Sequence, residues 1–204
     1  MKSNIIKRIP RIFILALLIS AVSFAANPSV AQTAGEPVLL TSCGQSPGPV
    51  RLKIFLQKLN INFDYNLQAK ASDLVSKNKE GKPYKSLIIV TGASLKGMGA
   101  AGVSMDDELA RTKSLIAEAK KQGIKIIGSH IEGMARRSQG ASSGDNTDEM
   151  SIDAVCNVCD FMIVKKEGDS DGRFTTISKG KNIPLILFDM NTEISDVLKK
   201  VYNK

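Results

Sequence analysis

The chain has 204 residues, a formal net charge of +8, 5% aromatic residues and no Trp. So few rings, none interleaved with arginines, argue against nucleic-acid binding. Much of the basicity is local: residues 1–31 hold four of the 28 basic residues (Lys2, Lys7, Arg8, Arg11) and no acid, leaving 24 basic against 20 acidic residues in the remainder.

That first segment reads as a secretory signal. The basic start is followed by an apolar stretch at residues 12–22, too short to span a bilayer comfortably. Ser29-Val30-Ala31 forms a small-x-small cleavage site, with Ser23-Phe24-Ala25 as a second choice. No lipoprotein cysteine adjoins the apolar stretch. The expectation is export to the periplasm or beyond, with no stable membrane anchor after cleavage. Residues 32–204 then form a single domain, large enough to bury a core.

Within it, residues 37–41 predict the first strand. Residues 42–48 form a turn, with Ser46 or Gly48 capping a helix whose apolar face is Leu52, Phe55, Leu56 and Leu59. A short second strand covers 62–67, a short helix 69–78 and a loop tip 79–83. Leu87 to Val90 is a continuous apolar run, the pattern of a strand buried on both faces. A glycine-rich loop at 92–102 follows. Helix 104–122 comes next, capped by Ser104 with Asp107 and closed by Gly123. Its apolar positions are Met105, Leu109, Ile116 and Ala119. A strand at 124–129, a polar loop at 131–145, a helix at 147–159 and a strand at 161–165 continue the alternation. A loop at 167–172, a helix at 174–179, a strand at 184–188 and a helix at 192–202 complete it.

Alternating strands and helices imply an α/β fold: a three-layer, doubly wound parallel sheet of about five strands, flavodoxin-like or Rossmann-like, with order 2-1-3-4-5. In such sheets ligands sit beyond the carboxyl ends of the strands. The loops at 42–46, 92–102, 130–138 and 167–172 would share that rim.

Gly97-Met98-Gly99-Ala100-Ala101-Gly102 matches GxGxxG, but a dinucleotide site does not follow. Asp106, Asp107 and Glu108 open the next helix and disfavour pyrophosphate, no acid ends the following strand, and no Tyr-x-x-x-Lys follows. A backbone nest for a small anion, with Ser94 and Lys96 beside Gly97 and Gly99, competes with a loop that is glycine-rich only for packing. Cys43 sits at a strand-to-helix turn, where helix amides can activate a thiol. Arg51 follows it too late for a phosphatase loop. Cys156 and Cys159 close a helix instead of opening one, at the opposite end of the sheet from Cys43, and read as packed core residues. His130, the sole histidine, stands at the rim with Arg136 and Arg137. These arginines either clamp an anionic group or pair with nearby acids such as Asp106–Glu108, Asp145 and Asp148. A metal site of His130, Glu132 and Asp106–Glu108 lacks any ligand spacing, and residues 167–172 lack the closing Glu of a calcium loop.

Residues 36–48 (EPVLLTSCGQSPG), 92–102 (GASLKGMGAAG), 108–125, 128–137 (GSHIEGMARR) and 181–185 (KNIPL) together resemble a family of small exported bacterial proteins that carries only a domain-of-unknown-function label. The resemblance spans most of residues 32–204 and implies no activity, cofactor or catalytic residue.

The leading expectation is therefore a non-catalytic binding protein for a small anionic or polar metabolite, requiring no cofactor. Ser42, Gln45, Ser46, Ser94, Lys96, Gly97, Gly99, His130, Arg136 and Arg137 would contact the ligand. One alternative is a thiol-dependent hydrolase or transferase using Cys43 with His130. Another is an interaction module for a protein partner in the cell envelope.

Overall fold

The predicted apolar runs become the strands of one parallel sheet in the computed structural model, which describes residues 32–137 and 146–204. The expected signal and most of the polar loop before Asn146 lie outside the described residues. The strands are β1 (Val38–Cys43), β2 (Phe63–Tyr65), β3 (Ser86–Thr91), β4 (Lys125–His130), β5 (Phe161–Lys165) and β6 (Leu185–Phe188), in the order β2-β1-β3-β4-β5-β6. The architecture is the expected doubly wound one, but the sheet has six strands instead of five. All six segments read as strands, the short ones at 62–67 and 184–188 included, join this one sheet, the last by pairing with β5 from Met162–Leu185 to Lys165–Phe188.

Side-chain alternation splits the core into two layers. Leu39, Leu87, Ile89, Ile126, Met162 and Val164 face one way. They pack under α2 (Ala71–Lys79), α4 (Met105–Lys121), α5 (Thr147–Cys156) and α6 (Arg173–Lys181). Val38, Leu40, Ile88, Val90, Ile127 and Ile163 face the other way, under α1 (Gly48–Lys58) and α7 (Ile194–Tyr202). Each fully buried aliphatic side chain contributes roughly 1.5–3 kcal/mol. β1 and β3 are buried at every position, as strands covered by helices on both sides must be.

Two local expectations are corrected. The glycine-rich segment is not an open loop: Leu95–Ala101 forms a two-turn helix, α3, whose N-cap Ser94 accepts a hydrogen bond from Gly97 N at 3.1 Å. Gly102, at φ 68°, ends it. Alanine and methionine between the glycines supply enough helix propensity once a good cap is present. The N-cap of α1 is Pro47, neither Ser46 nor Gly48, although the Ser46 hydroxyl accepts from Gly48 N at 3.3 Å. The capping pair Ser104–Asp107 of α4 forms as predicted. Among the described residues no helix is long and apolar enough to cross a membrane.

Candidate functional site

Parallel strands bring every βα loop to one edge, and here those loops interlock. Gln45 and Ala93 form an isolated antiparallel bridge between the β1–α1 and β3–α3 turns, and Ser94 N donates to Gly44 O at 2.8 Å. Gly44, at φ 101°, has Gly92 O 2.6 Å from where a Cβ would sit, so only glycine lets the two turns approach. β1 and β3 flank the point where strand order reverses, the usual ligand crevice of this architecture. In this chain the crevice is closed by backbone.

The amides around it are satisfied internally by carboxylates and a hydroxyl. Glu108 on α4 is fully buried, and its Oε2 accepts from Gly44 N at 2.8 Å, Gln45 Nε2 at 3.0 Å and Arg111 Nη2 at 2.9 Å. Arg111 also donates from Nε to Glu108 Oε1 (3.0 Å), from Nη1 to Ala69 O (2.9 Å) and from Nη2 to Ser42 O (2.6 Å). Glu132 Oε2 accepts from Gly48 N at 3.0 Å, placing a negative charge on the first turn of α1. Asp148 accepts from Ala93 N at 2.6 Å, and the Ser151 hydroxyl accepts from Gly92 N at 2.9 Å. The positions that a bound anion would take are held by the protein's own side chains.

The expected site residues therefore divide. Ser42, Gln45 and Ser46 are buried in this interlock. The Ser42 hydroxyl and Gln45 Nε2 both donate to Leu67 O, at 3.1 and 3.2 Å. Ser94 and Gly97 belong to the α3 cap and first turn, with Ser94 and Gly97 half-buried, and Lys96 and Gly99 are exposed on α3. Arg136, half-buried, donates to Ala93 O at 2.8 Å and lies 3.7 Å from Glu132. Arg137 is buried and pairs with Glu149 and Asp171, both at 2.7 Å, while also donating to the Gly168 carbonyl. Its acidic partners are thus Glu149 of α5 and Asp171 of the segment before α6; the expected partner Asp145 lies outside the described residues. The same contact holds the Asp171 carboxyl down at about 2.

His130 is fully buried. Its Nε2 lies 3.0 Å from the Gly133 carbonyl, which can only accept, so Nε2 carries the proton and Nδ1 accepts from Thr91 Oγ1 at 3.1 Å. Phe174 packs on the ring at a centroid distance of 5.0 Å. Burial first, and the neighbouring Arg137 charge next among the lowering causes, bring its pKa down to about 4, leaving the ring neutral at physiological pH. Cys43 is fully buried among Thr112, Glu108 and Arg111, and burial pushes its thiol up to about 11. Cys156 and Cys159 are buried free thiols in the same core layer, and burial raises Cys159 to about 12. Among the described residues no cluster of His, Cys, Asp and Glu is arranged to hold a metal.

Two openings border the interlock. A cleft of about 640 Å³ separates α2 from α4, lined by Gln68, Lys70, Ser72, Val103, Asp107 and Arg111 among others. A smaller slot of about 210 Å³ lies between α1 and α7, lined by Phe55, Ile131, Phe188 and Ile194 with Arg51 and Asn191. The sequence reading missed the cleft and the Glu108–Arg111 pair beside it. Glu108 looked like a first-turn acid, a partner for the rim arginines or a metal candidate, not a buried brace. The signal available was its phase: Glu108, Thr112, Leu115, Ile116 and Ala119 make up the buried stripe of α4.

No curated protein and no solved structure matches the chain. Residues 35–202 match the family model described as a domain of unknown function (DUF6305), and the chain belongs to that family.

Proposed function

We propose that the protein is a non-catalytic, exported binding protein for a small polar metabolite bearing an anionic group, held in the cleft between α2 and α4. The observation that carries this reading is that cleft: about 640 Å³, at the carboxyl edge of the sheet, with a wall fixed by the buried Glu108–Arg111 pair. Its volume is in the range of small-molecule sites. Arg111 makes four hydrogen bonds within the protein, so it braces the wall, and Lys70 supplies the exposed positive charge. Binding is favoured over thiol chemistry because a nucleophilic cysteine needs a lowered pKa and access, and Cys43 has neither.

A library of small carboxylates and phosphate esters, read by thermal shift at millimolar concentration, tests the reading. The expected result is stabilisation by a subset of ligands, lost when exposed Ala110 in the cleft is replaced by Trp and weakened by Lys70→Ala. Hits unaffected by Ala110→Trp, or no hits, would overturn it.

A further inference from the structure

The two edges of the sheet are built differently. β2 is three residues long and carries Asp64 at its centre, where Lys77 at 2.8 Å and Tyr84 at 2.6 Å engage it. β6 is Leu185-Ile186-Leu187-Phe188, with no charge along its length. Met162 N donates to Pro184 O, and the register sets Met162 against Leu185. Backbone groups alternate sides along a strand, so those of Pro184, Ile186 and Phe188 face β5, whereas those of Leu185 and Leu187 face outward. Proline often protects an edge by removing a donor. Pro184 has its donorless nitrogen on the inner side and protects nothing. Leu187 is 41% exposed and Met190, just past the strand, 62% exposed. The open stretch ends at Asp189, whose amide is taken by Glu193 at 2.8 Å.

The flanks of β6 have opposite charge. Lys179 and Lys181 end α6 before the strand, and Asp189 and Glu193 follow it. We propose that β6 pairs antiparallel with β6 of a second copy of this chain, about a twofold axis through Ile186, so that one sheet runs across both copies. Leu185 of each copy then lies opposite Leu187 of the other as a hydrogen-bonded pair, with both outward N–H groups and both carbonyls used. The same arrangement sets the basic flank of one copy beside the acidic flank of the other. A parallel pairing would instead set lysine beside lysine. The Lys166–Asp189 pair is long, 3.5 Å, and exposed at both ends, so it competes little for Asp189. A single short strand buries less than a standard interface, so the association is weak and concentration-dependent. This inference does not depend on the ligand reading above.

Sedimentation velocity on the purified full chain, from micromolar to sub-millimolar concentration and at low and high salt, tests it. A reversible dimer is expected, weakened by salt. Leu187→Lys should weaken it at least tenfold, and Lys181→Glu should weaken it several-fold. Adding Asp189→Lys to Lys181→Glu should restore it, a rescue that a general loss of folding cannot produce. A wild-type chain that stays monomeric at sub-millimolar concentration, or a dimer indifferent to Leu187→Lys and to the charge exchange, would overturn the proposal.

Discussion

Glu108 shows how one side chain can decide what a rim is able to bind. It is an acid in the first turn of a helix, where an exposed carboxylate gains a few tenths of a kcal/mol from the dipole. In the fold it is buried and holds the β1–α1 turn through Gly44, Gln45 and Arg111. Glu108→Ala leaves the Arg111 guanidinium, 10% exposed, without its carboxylate. The expected loss is about 3 kcal/mol in denaturant unfolding, since breaking a buried pair by removing one member is strongly destabilising. His130 gives a second test through pH. Its folded pKa, about 4, is below the ordinary value of 6.5. The unfolded chain therefore binds more protons between those values, and stability is full above pH 6.5 and falls as pH drops toward 4. The full effect is about 3 kcal/mol. Asp171, lowered by Arg137, acts in the same direction but below pH 4. His130→Gln should flatten the upper part of that profile while leaving the part below pH 4 in place, as followed by urea unfolding at stepped pH.

The strands were readable from the sequence because an apolar run bounded by turn residues has few other solutions in a chain of this size. β1, β3 and β5 lie within a residue or two of the expected positions. The glycine segment was not readable in the same way. Gly97, Gly99 and Gly102 fit a phosphate loop, a packed loop or a short helix, and the choice depends on the Ser94 cap and on the approach of the β1–α1 turn, which is a tertiary contact. The glycines themselves separate these roles. A Cβ on Gly97 would sit 2.3 Å from the Gln45 carbonyl oxygen, whereas one on Gly99 would meet nothing within 4 Å. Gly97→Ala should thus destabilise the protein by more than 1 kcal/mol, roughly the size of an overpacking strain. Gly99→Ala should stabilise it by about 0.5–1 kcal/mol by favouring the helix and restricting the unfolded chain. Thermal unfolding of the two variants side by side measures the difference. Glu108 and the α2–α4 cleft stayed hidden for a related reason: spacing along one helix shows which residues share a face, but not which loop arrives to meet them.

At the scale of the molecule, doubly wound topology delivers four loops to one rim, and that convergence followed from element order alone. What the rim then does with its amides did not follow. The Gln45–Ala93 bridge and the side chains of Glu108, Glu132, Asp148 and Ser151 tie these loops into the body of the sheet. Surface loops ordinarily open without disturbing the core. The amides of Gly44, Gly48, Gly92 and Ala93, although outside the strands, should accordingly exchange their protons for deuterium at rates set by opening of the central sheet. Residue-resolved exchange would show them hours behind the loop tip around Gly81, and the turns beyond β1 and β3 would then behave as a rigid floor for whatever the neighbouring cleft receives.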